Sequence, residues 1–282
     1  MKLVTFATGG QAAIGRVEGD RILPLPFRFG SMIDLIIHWA AWETEVRNVI
    51  PENTPKAVPL KEAILLPPLP RPGKILAIGL NYADHIRETG GEIPTRQIWF
   101  CKQPTAANGP YDPILLPRVA NQIDYEAELV VVIGKGGRYI TKEAAPAHVF
   151  GYCAGNDVSA RDWQMATSQW MLGKSFDTHA PFGPWITTAD EVGDPHGLGV
   201  RSYVNGEKRQ DSDTSNLVFN VWDQIAHISQ VVTLEPGDLI FTGTPGGVGM
   251  AMTPPTYLKD GDVVRIEVDR LGALEAVCRD ER

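Results

Sequence analysis

Apolar residues in this chain fall into short runs rich in valine, isoleucine and leucine, each bounded by glycine, proline, asparagine or aspartate. That pattern predicts strands and tight turns more than helices. Strands are expected at residues 74–79, 98–102, 126–133, 151–156, 185–188, 199–205, 238–242 and 262–268, with turns at Asn205-Gly206 and Lys259-Asp260-Gly261-Asp262. Residues 2–24 read as further short strands, broken at Gly9-Gly10 and Glu18-Gly19-Asp20. Ser31 caps an expected helix to about Val49, whose Ile33, Ile36, Ile37 and Ala40 form an apolar face. Other helices are expected at 142–148, 160–170 and 220–231. Seven of the 22 prolines lie between Pro51 and Pro72, so that stretch is neither a continuous helix nor a central strand. It reads as the connection between a small α+β N-terminal domain, residues 1–70, and a β-rich α/β body, residues 74–282.

Composition narrows the partners. The 282 residues carry 34 acidic and 26 basic side chains, a net charge of −8 with no block of lysine or arginine. Such a field repels a phosphate backbone, so no nucleic-acid partner is expected. No apolar run approaches the ~18 residues of a membrane span, so no membrane partner is expected. Cys101, Cys153 and Cys278 are widely spaced, odd in number and form no metal-binding pattern, which fits a reducing, cytoplasmic setting.

The chemistry concentrates in two stretches. Glu126 and Glu128 precede the apolar run 129–133, and residues two apart on a strand share a face. Two carboxylates on one face of a buried strand are costly unless a cation or protons neutralise them. A hard divalent ion does so, with Asp157 as a third oxygen ligand; the alternative is a strand end open to solvent. Upstream, Asn81 is placed to cap a short helix on which His85 and Glu88, three apart, face the same way and could act as a carboxylate-oriented base. Ser159 is placed to cap the 160–170 helix, with Arg161 and Gln164 one turn apart. Gly173-Lys174-Ser175 lacks the further glycine of a phosphate-binding loop, so Lys174 is read as a charge-balancing or substrate-binding lysine. The loop Gly243-Thr244-Pro245-Gly246-Gly247 offers backbone N–H groups and the Thr244 hydroxyl to a carboxylate. The remaining histidines show no ligand spacing and are read as structural. Trp163, Trp170, Trp185 and Trp222 are read as core.

Taken in order, Gly79-Leu80-Asn81-Tyr82 with His85 and Glu88, Phe100-Cys101-Lys102, Glu126-Ala127-Glu128-Leu129, Asn156-Asp157-Val158-Ser159-Ala160-Arg161-Asp162-Trp163-Gln164, Gly173-Lys174-Ser175-Phe176-Asp177, Val204-Asn205-Gly206-Glu207, Glu235-Pro236-Gly237-Asp238 and Gly243-Thr244-Pro245 resemble the fumarylacetoacetate hydrolase family, in its acylpyruvase and fumarylpyruvate hydrolase-like branch. The resemblance covers about residues 74–275. It implies a mixed β-roll fold, a site beneath a mobile lid and a homodimer. It further implies Mg²⁺ or Mn²⁺ (Ca²⁺ in some members) held by Glu126, Glu128 and Asp157. His85, Glu88 and Lys174 would be catalytic, with Arg161, Gln164 and Thr244 on a small 2-oxo acid substrate. The expected reaction is catabolic hydrolysis of a C–C bond in a 2,4-dioxo acid; the alternative is decarboxylation of oxaloacetate or isomerisation of an unsaturated 2-oxo diacid. Specificity is expected from Thr89–Thr95, Thr105–Pro113 and an apolar wall at Met250–Tyr257.

Overall fold

The computed structural model describes every residue except Gly9, Pro55 and Thr89, and every other side chain except those of Thr8 and Phe27. A 12-stranded mixed sheet runs through the centre. Its path goes from Val58–Pro59 through Arg21–Pro24, Gln11–Glu18, Lys2–Thr8, Ala180–Thr188, Val149–Asn156, Ala127–Ile133, Leu239–Phe241 and Ile75–Gly79 to Ile98–Lys102. The N-terminal strands join the sheet of the body directly, with Lys2 opposite Thr187 and Leu3 opposite Ile186. A second sheet of five strands is ordered Glu207–Asp213, Gly199–Val204, Val263–Val268, Gly272–Asp280 and Ile114–Leu116. The strand-rich α/β class is as the sequence pattern indicates.

Strand Ala127–Ile133 explains the architecture best. Every one of its residues is buried. Ala127, Leu129, Val131 and Ile133 enter one core with Val200, Val264 and Leu274 of the second sheet. Val130 and Val132 point the other way, into a core with Leu35, Ile36 and Val46. Both faces are covered, which is why the run is continuously apolar rather than alternating. Each such valine contributes roughly 1.5–3 kcal/mol by leaving water.

The helices are shorter than expected. Ser31 does cap, in a reciprocal box with Asp34: its N–H donates to Asp34 Oδ2 at 2.9 Å and its hydroxyl accepts from the Asp34 N–H at 3.3 Å. The helix breaks at His38 into Met32–Ile37 and Trp39–Arg47, which lets Leu35, Ile36 and Val46 share one core. The expected 142–148 helix is a single tight turn, Ala145–His148, around Pro146. Of the expected 160–170 helix only Arg161–Gln164 is helical, and a second short turn, Met171–Lys174, follows beyond it. Ser159 does not cap. It lies in an extended pair with Asp124, and its hydroxyl donates to the Asp157 carbonyl at 2.9 Å. The expected 220–231 helix forms over Val221–Ile228, with Asn220 capping it through the Asp223 N–H.

Candidate active site

Strand register assembles the acidic cluster. Ala127 pairs with Asn156, so the next residues along, Glu126 and Asp157, meet at the end of the ladder. The Asp157 N–H donates to the Glu126 carbonyl at 2.9 Å, and the Glu126 N–H donates to Asn156 Oδ1 at 3.0 Å. Glu128 projects from the same face two residues on. One carboxylate oxygen from each of Glu126, Glu128 and Asp157 lies within 4.8 Å of the others, and all three side chains are buried. A donor set made only of carboxylate oxygens at this spacing fits a hard divalent cation.

Three cationic side chains surround the cluster. Lys174 Nζ donates to Glu126 Oε2 and Asp157 Oδ2, both at 2.7 Å. Lys102, the last residue of the Ile98–Lys102 strand, donates to Asp157 Oδ1 at 2.5 Å and to the Val158 carbonyl at 3.1 Å. Arg161 places Nη1 2.7 Å from Glu126 Oε1 and Nη2 2.8 Å from Asp124 Oδ2, and donates through Nε to that same oxygen at 2.9 Å. Burial alone would raise the Glu126 pKa, but Lys174 and Arg161 outweigh it and hold it down at about 2. Glu128 goes the other way: burial, with Asp157 and Glu126 alongside, pushes it well above the carboxylate range. The Gly243 N–H, 2.8 Å from Glu128 Oε2, offsets only part of that. Burial pushes Lys102 down despite Asp157, whereas Asp157 and Glu126 more than offset burial at Lys174 and keep it raised.

The helix Ala83–Glu88 carries the expected His85–Glu88 pair, with Nδ1 and Oε2 3.4 Å apart. Asn81 does not cap it. Its amide donates to the Phe219 and Thr242 carbonyls at 3.0 and 2.8 Å, tying the segment to the end of the Leu239–Phe241 strand. The glycine loop reaches this pair. Glu88 accepts from the Gly247 N–H at 2.8 and 3.0 Å, and the Tyr125 hydroxyl donates to the Gly247 carbonyl at 3.0 Å. Gly247 has φ +102°, and a Cβ there would lie 2.0 Å from the Arg209 carbonyl oxygen, so only glycine lets the loop pass.

The Thr244 hydroxyl is committed to the frame. It donates to the Ala127 carbonyl at 3.0 Å and accepts from Gln210 Nε2 at 2.7 Å. Gln210 also accepts from the Ala127 N–H at 2.9 Å and donates to the Pro245 carbonyl at 2.8 Å, stapling loop to strand. Asp124 holds the far end of the loop, accepting from the Gly249 and Met250 N–H groups at 2.7 and 3.0 Å.

These groups open on a cavity of about 360 Å³. His85, Glu126, Glu128, Arg161, Lys174 and Thr244 line its polar side, with Gln164 beside Arg161. Leu80, Phe100, Met165, Trp170 and Met250 line the apolar side. A larger hollow of about 650 Å³ elsewhere is an open surface groove whose ionic groups, such as Met1 with Glu191 and Arg16 with Glu18, neutralise one another.

The model of the fumarylacetoacetate (FAA) hydrolase C-terminal domain matches residues 74–279. The chain belongs to the fumarylacetoacetate hydrolase family. It is similar to oxaloacetate tautomerase FAHD2A, mitochondrial, of Bos taurus: 46% identical over 246 residues, covering 86% of this chain and 78% of that protein. Its structure is similar to that of maleylpyruvate hydrolase from Sphingobium sp. SYK-6 in complex with manganese (II) ion and pyruvate, with TM-score 0.85, 32% identity and all of both chains covered. It is likewise similar to 5-carboxymethyl-2-hydroxymuconate delta-isomerase from Mycobacterium smegmatis, with TM-score 0.81, 35% identity and all of both chains covered. The protein is thus an enzyme of a family that includes tautomerases, isomerases and hydrolases.

For this family member, the structure brings all nine residues singled out in the sequence, His85, Glu88, Glu126, Glu128, Asp157, Arg161, Gln164, Lys174 and Thr244, to one place. Trp170 corrects the reading of the tryptophans as core: it lines the cavity, edge-on to Phe100 at 5.7 Å. Trp163 is 37% exposed. Of the expected specificity segments, Met250 lines the cavity and 105–113 does not; Met165 and Trp170 stand there instead. Thr89, at the start of the first segment, lies outside the described residues. Asp124, Lys102 and Gln210 were not singled out as site residues. Asp124 lies two residues before Glu126, and Lys102 sits in a motif of the resemblance. Gln210 lies in the all-polar run Glu207–Asp213, which carries no signal of its own.

Proposed function

We propose that the protein catalyses proton transfer at C3 of a short 2-oxo acid, and specifically the keto–enol tautomerisation of oxaloacetate. The observation that carries this reading is an all-carboxylate cluster, two of whose members, Glu126 and Glu128, line one cavity with an imidazole, in a chain 46% identical over 246 residues to an oxaloacetate tautomerase. A divalent ion, Mg²⁺ or Mn²⁺, held by Glu126, Glu128 and Asp157 would draw electron density from the substrate's 2-oxo oxygen and so acidify C3. Lys174 and Arg161 give the cavity its positive side and attract the substrate carboxylates. Gln164, fixed by its bond from Arg161 at 2.9 Å, helps to orient them, and Thr244 holds the loop above. His85, with Nδ1 turned to Glu88, takes the C3 proton at Nε2 and returns it to the 2-oxo oxygen, so that one C–H bond is exchanged for one O–H bond.

The His85–Glu88 pair favours a second reading, hydrolysis of a 2,4-dioxo acid. There His85 takes a proton from water, whose oxygen adds to C4. The C3–C4 bond then breaks, C3 gains a proton, and a carboxylic acid and a 2-oxo acid leave. The apolar wall of Leu80, Met165 and Met250 suits an acyl group. A homodimer belongs to the proposal as well. It is supported by the strand Ile98–Lys102, which pairs with Ile75–Gly79 alone among described strands, and by exposed Ile98 and Leu172. The reducing, cytoplasmic setting rests on the three free cysteines.

The test follows the ultraviolet absorbance of enol-oxaloacetate and of acetylpyruvate, with Mn²⁺ and then with EDTA. Accelerated ketonisation of oxaloacetate that needs the ion and disappears in Glu128→Ala is expected. Cleavage of acetylpyruvate to acetate and pyruvate, without any acceleration of ketonisation, would put hydrolysis first.

A further inference from the structure

Asp157 is held by two lysines that stand in different places. Lys174 lines the cavity and divides its ammonium between Asp157 Oδ2 and Glu126 Oε2, both at 2.7 Å. Lys102 comes from behind, off the sheet edge. Its side chain is fully buried, it takes no part in the cavity wall, and Nζ lies 2.5 Å from Asp157 Oδ1. Around the site the buried carboxylates Asp124, Glu126, Glu128 and Asp157 face the buried cations Lys102, Lys174 and Arg161. A buried carboxylate without a cation is strongly destabilising. Lys174 alone serves two of these carboxylates, so an ion that comes and goes cannot be the only other charge balancing the cluster.

Resting on the reading that Glu126, Glu128 and Asp157 bind a divalent ion, we infer that Lys102 is a resident counter-ion: it balances the charge of Asp157 in the metal-free protein and, through its own charge, weakens the site's affinity for the ion. Two effects compete. A fixed carboxylate is a better ligand, which would make Lys102 strengthen binding. A positive charge sharing that carboxylate repels a divalent ion, and the low-dielectric surroundings magnify the repulsion. Repulsion wins because the Asp157 carboxylate is already held without Lys102: Lys174 Nζ donates to its Oδ2 at 2.7 Å, and its backbone is fixed by the Asp157 N–H on the Glu126 carbonyl and the Ser159 hydroxyl on the Asp157 carbonyl, both at 2.9 Å. Lys102 thus lets the site fold empty and keeps the ion exchangeable.

The experiment measures Mn²⁺ affinity by calorimetry, and melting in EDTA and in saturating Mn²⁺, for wild type, Lys102→Met and Lys102→Arg. Lys102→Met is expected to melt about 10 °C lower in EDTA. It should bind Mn²⁺ at least about tenfold tighter and so regain more stability from the ion than wild type does. A Lys102→Met protein that folds only when Mn²⁺ is added gives the same support. Lys102→Arg, which keeps the charge, should keep wild-type affinity. Unchanged or weaker Mn²⁺ binding by Lys102→Met would overturn the inference, as would failure to fold even in saturating Mn²⁺. Equal tightening in Lys102→Arg would point to shape rather than charge and would overturn it too. Wild type that binds no Mn²⁺ would remove the ion reading itself, and this inference with it.

Discussion

Replacing Asp124 with asparagine tests how the site is framed. Asp124 Oδ2 receives Arg161 Nε at 2.9 Å and the Met250 N–H at 3.0 Å, with Arg161 Nη2 2.8 Å away; Oδ1 receives the Gly249 N–H at 2.7 Å and the Tyr125 N–H at 2.9 Å. Both oxygens are surrounded by donors. Whichever way the asparagine amide turns, its NH₂ meets N–H groups and leaves donors unpaired. The substitution also removes the charge opposite a guanidinium that is 4% exposed. Breaking a buried pair from one side costs about 3–5 kcal/mol. At roughly 2–4 °C per kcal/mol for a chain of this size, the melting temperature should fall by about 6 °C or more. The assay is urea unfolding of wild type, Asp124→Asn, Arg161→Met and the double variant. Because Asp124 and Arg161 act on each other, the double variant should be less destabilised than the two singles added together, by about 2 kcal/mol or more. Additive costs, or a loss below about 1 kcal/mol for Asp124→Asn, would refute the claim that this pair frames the site.

Other outcomes follow from single groups. His179 is fully buried, its Nε2 is 2.9 Å from the Leu115 carbonyl, and burial depresses its pKa from 6.5 to about 3. Its contribution to stability is therefore complete above pH 6.5 and is lost as pH falls from 6.5 toward about 3, by about 1.4 kcal/mol per unit. His179→Gln should flatten that part of an acid-unfolding curve, and an unchanged acid limb would count against it. Burial, with Asp157 and Glu126 alongside, raises the Glu128 pKa in the metal-free protein, so protons compete with an ion for this ligand. Mn²⁺ binding measured by calorimetry should weaken as pH falls, with proton release, and Glu128→Gln should lose roughly a hundredfold in affinity. In Gly247→Ala, the Cβ clash with the Arg209 carbonyl and the positive φ should displace the N–H that Glu88 accepts. Turnover should then fall more than Mn²⁺ affinity; equal losses in both would argue against a role confined to the His85–Glu88 pair.

Much of the site was legible because its chemistry is compressed into short stretches. The parity of a strand puts Glu126 and Glu128 on one side, and the structure keeps that parity, on the face shared with Val130 and Val132. The i,i+3 spacing of His85 and Glu88 likewise survives in the helix Ala83–Glu88. The helix lengths were not legible. The 160–170 prediction ran past Gln164, where the helical turn ends, and pairing of Asp124 with Ser159 keeps the backbone extended until Ala160, so Ser159 does not cap it. The strand Glu207–Asp213 contains no apolar residue; its hairpin and ladder with Gly199–Val204 alone make it a strand.

By itself, then, the sequence determined the strand-rich class, the core-forming runs, and the identity and local facing of the acidic and basic groups, because these depend on neighbours two to four residues away. Tertiary structure decided which groups meet. Lys102 reaches Asp157 from the end of an edge strand, Glu88 reaches Gly247 across the mouth of the cavity, and Gln210 staples the glycine loop to the strand beginning at Ala127. Such contacts join residues 55 to 159 positions apart. They are set by sheet order and strand register, which no local pattern encodes, and by the cost of leaving a buried charge or hydrogen-bonding group without a partner.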